Sequence, residues 1–152
     1  MISFSLATAT TTPVEFRDTP GFVTLLEILN MYTGEGKVFL KIDIEGWEYR
    51  VLNDVIAEAD RICGLAIEFH DVDLHYARLE EFVKNLPLRI AHVHHNSFAP
   101  INDRGFPLVL EVTFSSHAPI AINAVRLPHP LDRLSAPHHE PTEIRLVGDY
   151  LH

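Results

Sequence analysis

Apolar residues recur along the chain in two periods, one typical of buried strands and the other typical of helices. Four compact apolar runs, rich in β-branched side chains, predict buried strands at 38–44, 65–69, 88–94 and 108–114. Apolar residues spaced three or four apart predict helices that begin near Pro20, Trp47 and Asp73. The resulting order is helix, strand, helix, strand, helix, strand, loop, strand.

This order predicts an α/β fold with a mostly parallel sheet, because strands that alternate with helices are joined by right-handed crossovers. The last two strands are joined by the turn-rich loop 96–107 without a helix, so we expect the last strand to be antiparallel. Five prolines within 119–141 indicate an extended segment. We therefore predict an α/β domain at 1–117 and a Pro/His-rich C-terminal arm at 118–152, in which 144–147 adds a short edge strand.

Composition and charge exclude several classes of partner. The 152 residues carry a net charge of −9 with neutral histidines, which repels a phosphate backbone, so we expect no nucleic acid. No apolar run is as long as a membrane span requires, so we expect no membrane partner. Cys63 is the single cysteine, which excludes an intrachain disulfide and favours the reducing cytoplasm.

Polar side chains cluster where the predicted strands end, which is where open parallel sheets bind their ligands. Side chains two apart on a strand share a face, which gives three same-side pairs: Asp43 with Glu45, Glu68 with His70, and His92 with His94. Acids and imidazoles at one sheet edge provide what general acid–base catalysis needs. The candidate catalytic residues are Asp43, Glu45, Glu68, His70 and His94.

Each candidate also has a purely structural alternative. Asp43 can satisfy backbone donors in the turn after its strand, and Glu45 can favour a helix N-terminus through the helix dipole. Glu68 and His70 can form a structural hydrogen bond, and His94 can be a histidine satisfied by the loop that follows it.

A divalent metal site is a further alternative. The segment 70–75 contains four residues of metal-ligating types, and His92, His94 and His95 follow at the next strand end. Asp73 is explained more simply as the N-cap of a helix, and clustered ligands need a geometry that spacing does not supply. We therefore predict no metal.

Segment 39–52 has the sequence FLKIDIEGWEYRVL. It resembles the signature of the FkbM family of methyltransferases, hydrophobic-Lys-Ile-Asp-hydrophobic-Glu-Gly-x-Glu-x-x-hydrophobic-Leu. Segments 65–70, 94–98 and 108–114 are similar to other parts of that family, so the resemblance extends over roughly 21–114. The resemblance implies a Rossmann-like sheet, the cofactor S-adenosylmethionine, and O-methylation of a hydroxyl group on a sugar or secondary metabolite. A small hydroxyl-bearing molecule is the acceptor that this implies.

The chain departs from the family pattern upstream of this motif. Members of the family carry a first strand and a glycine-rich cofactor loop there, but only 37 residues precede Val38. Gly34 and Gly36 come before a strand, whereas a cofactor loop follows one, so they predict a turn. We expect a partial Rossmann-like methyltransferase sheet whose cofactor-binding segment is missing, and weak cofactor binding by this chain alone.

The missing segment leaves other functions open. A non-catalytic module would keep the methyltransferase fold and bind a partner, and a metal-dependent, hydrolase-like site is the least favoured alternative. Strand 38–44 is apolar on both faces and is expected to be central, so a missing neighbour would leave its edge unpaired. Residues 1–7 would cover that edge if they folded back, but we favour a homo-oligomer or a separate N-terminal partner segment.

Overall fold

The computed structural model describes residues 24–32, 36–118 and 132, together with the backbone of 125–127 and 144–146. Helices and strands alternate in the order α1 (Leu25–Tyr32), β1 (Val38–Ile42), α2 (Glu48–Ala57), β2 (Ile62–Phe69), α3 (Val72–Asn85), β3 (Arg89–His95) and β4 (Leu110–Ser115). A 3₁₀ turn at Ala59–Arg61 joins α2 to β2. The predicted α/β class is confirmed, and strands β1 to β4 form one four-stranded sheet.

The first described helix begins later than the sequence pattern suggested. The predicted start near Pro20 lies outside the described residues, while Thr24 has non-helical backbone and caps α1. The Thr24 backbone N–H donates to Glu27 Oε2 (2.7 Å), and the Glu27 backbone N–H donates to Thr24 Oγ1 (3.2 Å). This reciprocal pair is a capping box, which satisfies donors that a helix N-terminus leaves unpaired. Leu25 and Leu29 then face the core.

The sheet order is β1-β2-β4-β3. β1 pairs with β2 in parallel, whereas β4 pairs antiparallel with both β2 and β3. A mostly parallel sheet was expected from the sequence, but only one of the three strand pairs in the described sheet is parallel. The reason is that β4 enters between β2 and β3, so these two strands run in the same direction without being neighbours. The expected antiparallel direction of β4 is confirmed.

One face of the sheet packs against the helices. The rings of Phe69 in β2 and Phe114 in β4 meet the ring of Phe82 in α3 edge to face, with centroids 6.1 and 5.8 Å apart. Val55 of α2 is fully buried in the same cluster. These apolar contacts hold α2 and α3 against the strands, and so they fix the loops that connect strands to helices.

The opposite face of the sheet carries a polar row. Glu111 of β4 is the register partner of Glu68 on β2 and of His94 on β3. Side chains of directly paired residues in antiparallel strands point to the same side. All three are partly buried, so acids and an imidazole line the face that does not carry the apolar core.

β1 lies at an edge of the sheet among the described strands, and none of those strands pairs with its outer side. Its Phe39 and Lys41 side chains are exposed. Residues 1–7, which include the fold-back alternative, lie outside the described residues.

The C-terminal arm contributes a small sheet of its own. β5 (Val125–Leu127) and β6 (Ile144–Leu146) pair antiparallel with each other, and β5 contacts β3. The strand predicted at 144–147 is therefore present, but its described partner is β5 and not the main sheet. The division into 1–117 and 118–152 stays a prediction. None of the helices that the structure describes is long and apolar enough to cross a membrane.

Candidate functional site

His70 lies at the centre of a cluster formed where β1 and β2 end. Its Nδ1 atom is 3.0 Å from Glu48 Oε1. Its Nε2 atom is 3.4 Å from Glu45 Oε2 and 4.0 Å from Glu68 Oε1. A carboxylate oxygen of Asp43 also lies within 4.8 Å of the nearest ligand atoms of Glu45 and His70. The expected convergence of the first two strand ends at one sheet edge is confirmed.

Glu48 is the residue on which the cluster is built. It is 0% exposed and opens the first turn of α2. The backbone N–H groups of Ile44 and Gly46 both donate to its Oε1 atom, at 3.1 Å each. Its Oε2 atom is buried and has no hydrogen-bond partner among the described residues. Since a carboxylate that is taken out of water must be compensated, these donors and His70 hold Glu48 in place.

The turn between β1 and α2 has the backbone conformation that presents these donors. Glu45 and Gly46 have φ angles of 55° and 95°, both in the left-handed region. Glycine adopts such angles without steric cost, whereas a non-glycine residue in this region is strained. The strained Glu45 therefore holds its carboxylate over the site at a conformational cost.

Sequence reasoning missed Glu48. It is the last acidic residue of the Glu-Gly-x-Glu motif, and the sequence pattern alone gave it no role of its own. A signal was available in the sequence. An acid at the first position of a helix lies next to the turn that precedes the helix, where its carboxylate can accept from backbone N–H groups.

The backbone of His70 is fixed from the other side. The Tyr49 hydroxyl donates to the His70 carbonyl at 2.8 Å, and Arg78 Nη2 donates to the Tyr49 carbonyl at 2.7 Å. Burial, followed by the charge of Glu48, raises the pKa of Tyr49, so its phenol stays a donor. Asp71 follows with a left-handed φ of 48° and turns the chain into α3. The position of the imidazole is therefore determined by both helices.

Glu68 is oriented by the segment that follows β3. Asn96 Nδ2 donates to Glu68 Oε1 at 3.0 Å, while Asn96 Oδ1 accepts the backbone N–H of Phe98 at 3.0 Å. An amide that is bonded at both ends holds the carboxylate in one orientation. The third strand end thus contributes to the site through Asn96.

The hydrogen bonds assign the protons of the His70 ring. Glu48 Oε1 already accepts two backbone N–H groups, so it is also the acceptor in its contact with His70, and Nδ1 is the donor. In the neutral ring the lone pair is then on Nε2, the atom that faces Glu45 and Glu68. The His70 side chain is 18% exposed and that of Glu45 is 86% exposed, so Nε2 lies at the solvent side of the cluster. A histidine in this arrangement can take a proton from a bound hydroxyl group.

His94, the fifth predicted site residue, does not join this cluster. β4 separates β3 from β2, so His94 lies beside His92 and Asp132 instead. Within the described residues, two groups have ligand atoms close enough to hold a metal ion: Asp43, Glu45 and His70, and His92, His94 and Asp132. Segment 70–75, considered as a metal-ligand cluster, contributes only His70 to either.

Two further side chains differ from their sequence-based expectations. Asp43 makes an ion pair with the exposed Lys41 at 3.3 Å, which is a surface interaction of small energy. Trp47, near which a helix with an apolar face was predicted to begin, is exposed at the start of α2, and the Arg50 guanidinium lies 3.8 Å from its ring centroid. Trp47 precedes the helix instead of belonging to its apolar face.

Comparison with known proteins identifies one family. The model of the methyltransferase FkbM domain matches residues 13–98, which is more than half of the chain. The match includes segment 39–52 and all the residues around His70, and it ends before β4. Neither the curated proteins nor the solved structures contain a match to this chain.

Proposed function

The chain belongs to the FkbM methyltransferase family, and from this premise we propose that it O-methylates a hydroxyl group of a sugar or secondary metabolite. The observation that carries the proposal is the hydrogen bond between His70 and the buried Glu48 at the strand ends. Family membership supports S-adenosylmethionine as the methyl donor.

In the proposed reaction, His70 removes the proton of the acceptor hydroxyl. Transfer of a methyl group needs an aligned acceptor oxygen, and this oxygen becomes a better nucleophile when its proton is taken. Glu48 keeps the Nδ1 proton in place, so the Nε2 lone pair faces the acceptor. The role of Glu48 is positioning, because its carboxylate is fully buried and does not face the acceptor.

The carboxylates around Nε2 suit an acceptor with several hydroxyl groups. Glu45 and Glu68 lie 3.4 and 4.0 Å from Nε2, and Asp43 lies nearby. Carboxylates accept hydrogen bonds from hydroxyl groups, and such charge-assisted bonds are about twice as strong as neutral ones. We propose that Glu68, which Asn96 holds in one orientation, aligns the acceptor beside His70.

The described residues do not by themselves fit a complete S-adenosylmethionine site. In open α/β sheets, a glycine-rich loop after a strand lets the backbone approach the cofactor closely. Of the described glycines, Gly46 follows the end of β1, and its N–H is already committed to Glu48. Gly64 lies inside β2 under the Phe39 ring.

A partner-binding role is the second candidate, and the position of β1 favours it. β1 lies at the edge of the described sheet, with Phe39 56% exposed. An apolar strand edge of this kind is normally covered. We expect sedimentation velocity at micromolar concentration to show a homo-oligomer that Phe39→Lys weakens. A monomer at that concentration would contradict the homo-oligomer.

The substitution His70→Asn tests the proposed function. The asparagine amide nitrogen occupies nearly the place of Nδ1 and can still donate to Glu48, but no atom replaces Nε2. With millimolar labelled S-adenosylmethionine and a panel of sugars and polyols, we expect methyl transfer to fall at least about 100-fold. The matched control is His117→Asn, at an exposed position away from the cluster, which should keep the wild-type rate. Equal rates in wild type and H70N would reject the proposal, as would a wild-type chain that methylates none of the acceptors.

A further inference from the structure

A second cluster of ionisable side chains lies on the polar face of the sheet, away from His70. His92 and His94 project from alternate positions of β3, with ring planes 14° apart and centroids separated by 6.5 Å. Asp132 of the C-terminal arm lies against both. Its Oδ1 atom is 2.8 Å from His92 Nε2, and its Oδ2 atom is 3.3 Å from His94 Nδ1.

The three ligand atoms lie close enough together for a small divalent cation to be placed among them. All of them lie within 4.8 Å of one another. Metal–nitrogen and metal–oxygen bonds of about 2.0–2.2 Å in a tetrahedral site place neighbouring ligand atoms about 3.3–3.6 Å apart. The contact between Asp132 and His94 already has this length, and the contact with His92 needs to widen by about 0.5 Å. Small side-chain rotations are sufficient for that.

Burial indicates that this cluster is more than an accidental surface contact. The side chains of Asp132 and His94 are 8% and 12% exposed. His94 Nδ1 is buried and has no hydrogen bond in the described part of the chain, because its contact with Asp132 lacks hydrogen-bond geometry. A buried ring nitrogen without a partner costs free energy, and coordination to a metal ion through its lone pair removes that cost.

We propose that His92 Nε2, His94 Nδ1 and the Asp132 carboxylate bind a divalent transition-metal ion of the Zn²⁺ type. Two imidazoles and one carboxylate suit zinc and its neighbours, whereas magnesium and calcium prefer oxygen ligands alone. The His92 side chain is 38% exposed, so solvent and metal ions can reach this side of the cluster. Glu111, the register partner of His94, adds negative charge near the cation.

The bound ion would join the C-terminal arm to the main sheet. Both β4 and β5 lie between β3 and Asp132 in the sequence, and the Asp132 carboxylate is the arm's contribution to the cluster. A metal that bridges two such distant segments closes a long loop, so its binding free energy stabilises the contact between Asp132 and β3. This structural role of a metal differs from the proposed catalytic role of the His70 cluster, in which His70 Nδ1 is already bonded to Glu48.

Calorimetric titration of the metal-free full chain with Zn²⁺ tests this proposal. We expect one ion per chain and a higher melting temperature in its presence. Loss of a ligand should weaken Zn²⁺ binding about 100-fold or more, since loss of a supporting residue alone costs 10- to 100-fold. We expect this loss in Asp132→Asn and in the double variant H92Q/H94Q.

Matched controls separate this site from adventitious binding by other histidines. The double variant H138Q/H139Q removes the same number of imidazoles from the C-terminal arm, and Asp103→Asn removes an exposed carboxylate. Both controls should bind Zn²⁺ as the wild type does. Circular dichroism without metal checks that every variant is folded, and Co²⁺ gives a visible absorption band that D132N should lose. Binding unchanged in D132N, or lost equally in H138Q/H139Q, would overturn the proposal, as would the absence of stoichiometric binding to the wild type.

Discussion

Replacement of Glu48 by glutamine changes one charge at the centre of the His70 cluster. The glutamine oxygen can replace Oε1 and accept from the N–H groups of Ile44 and Gly46 and from His70 Nδ1. The amide NH₂ group then occupies the buried position of Oε2. The variant therefore keeps the shape of the network while it weakens each bond.

The expected loss of stability follows from these contacts. A hydrogen bond to a charged group contributes about 1.5–3 kcal/mol and a neutral one about 0.5–1.5 kcal/mol, so each of the three bonds weakens by about 1 kcal/mol. Relief of the cost of burying a charge offsets part of this sum. We expect E48Q to lower the free energy of unfolding by about 2 kcal/mol. Glu48→Ala leaves all three donors unpaired and should cost about 3–5 kcal/mol.

Urea unfolding measures both variants. Trp47 is the only tryptophan and lies next to Glu48, so its fluorescence reports on the start of α2, and far-ultraviolet circular dichroism reports on the whole fold. We expect the free energy of unfolding to be highest for the wild type, lower for E48Q and lowest for E48A. An E48A variant as stable as wild type would refute the reasoning, because three partly buried donors cannot lose their acceptor without cost.

We expect four further outcomes. Tyr49→Phe should lower stability by about 1 kcal/mol near neutral pH, because it removes the bond to the His70 carbonyl. Burial raises the pKa of Tyr49 above its ordinary value of 10.0, so the folded state holds this proton more tightly than the unfolded state. Wild-type stability should therefore fall as pH rises above 10.0, and more steeply than that of Y49F; parallel alkaline unfolding curves would contradict the shift. Gly46→Ala should cost about 1–2 kcal/mol in urea unfolding, because its φ of 95° disfavours a Cβ atom that meets no other atom within 4 Å; no change would mean that the turn relaxes. Calorimetry should show that this chain alone binds S-adenosylmethionine more weakly than low-micromolar, which is about −8 kcal/mol, and tighter binding would show that residues outside the described ones complete the site.

The elements of the fold were predictable from local pattern. Each apolar run predicted as a strand overlaps a strand of the main sheet, with ends displaced by a few residues, because the hydrophobic period and flanking turn residues are local properties. The position of β4 between β2 and β3 was not predictable in this way. A strand's own periodicity shows which faces are buried, but not which strand is its neighbour.

The candidate site was predictable in part for the same reason. Glu45, Glu68 and His70 lie at or just beyond the ends of strands that end at one edge, so their convergence follows from topology. His94 was placed with them because β3 was expected beside β2, and the insertion of β4 moves it away. The contact of His94 with Asp132 joins segments far apart in sequence, and no spacing rule reaches that distance.

The ring nitrogens of His70 provide the most direct test of the central claim, that Glu48 holds this imidazole with the Nε2 lone pair free to take a proton. Nitrogen-15 NMR of the imidazole rings, with H70N used to assign the His70 signals, distinguishes the protonated nitrogen from the bare one. The account predicts that neutral His70 carries its proton on Nδ1, and that E48A loses this preference. A His70 ring protonated on Nε2 in the wild type would contradict the account, because that tautomer leaves no lone pair facing Glu45 and Glu68.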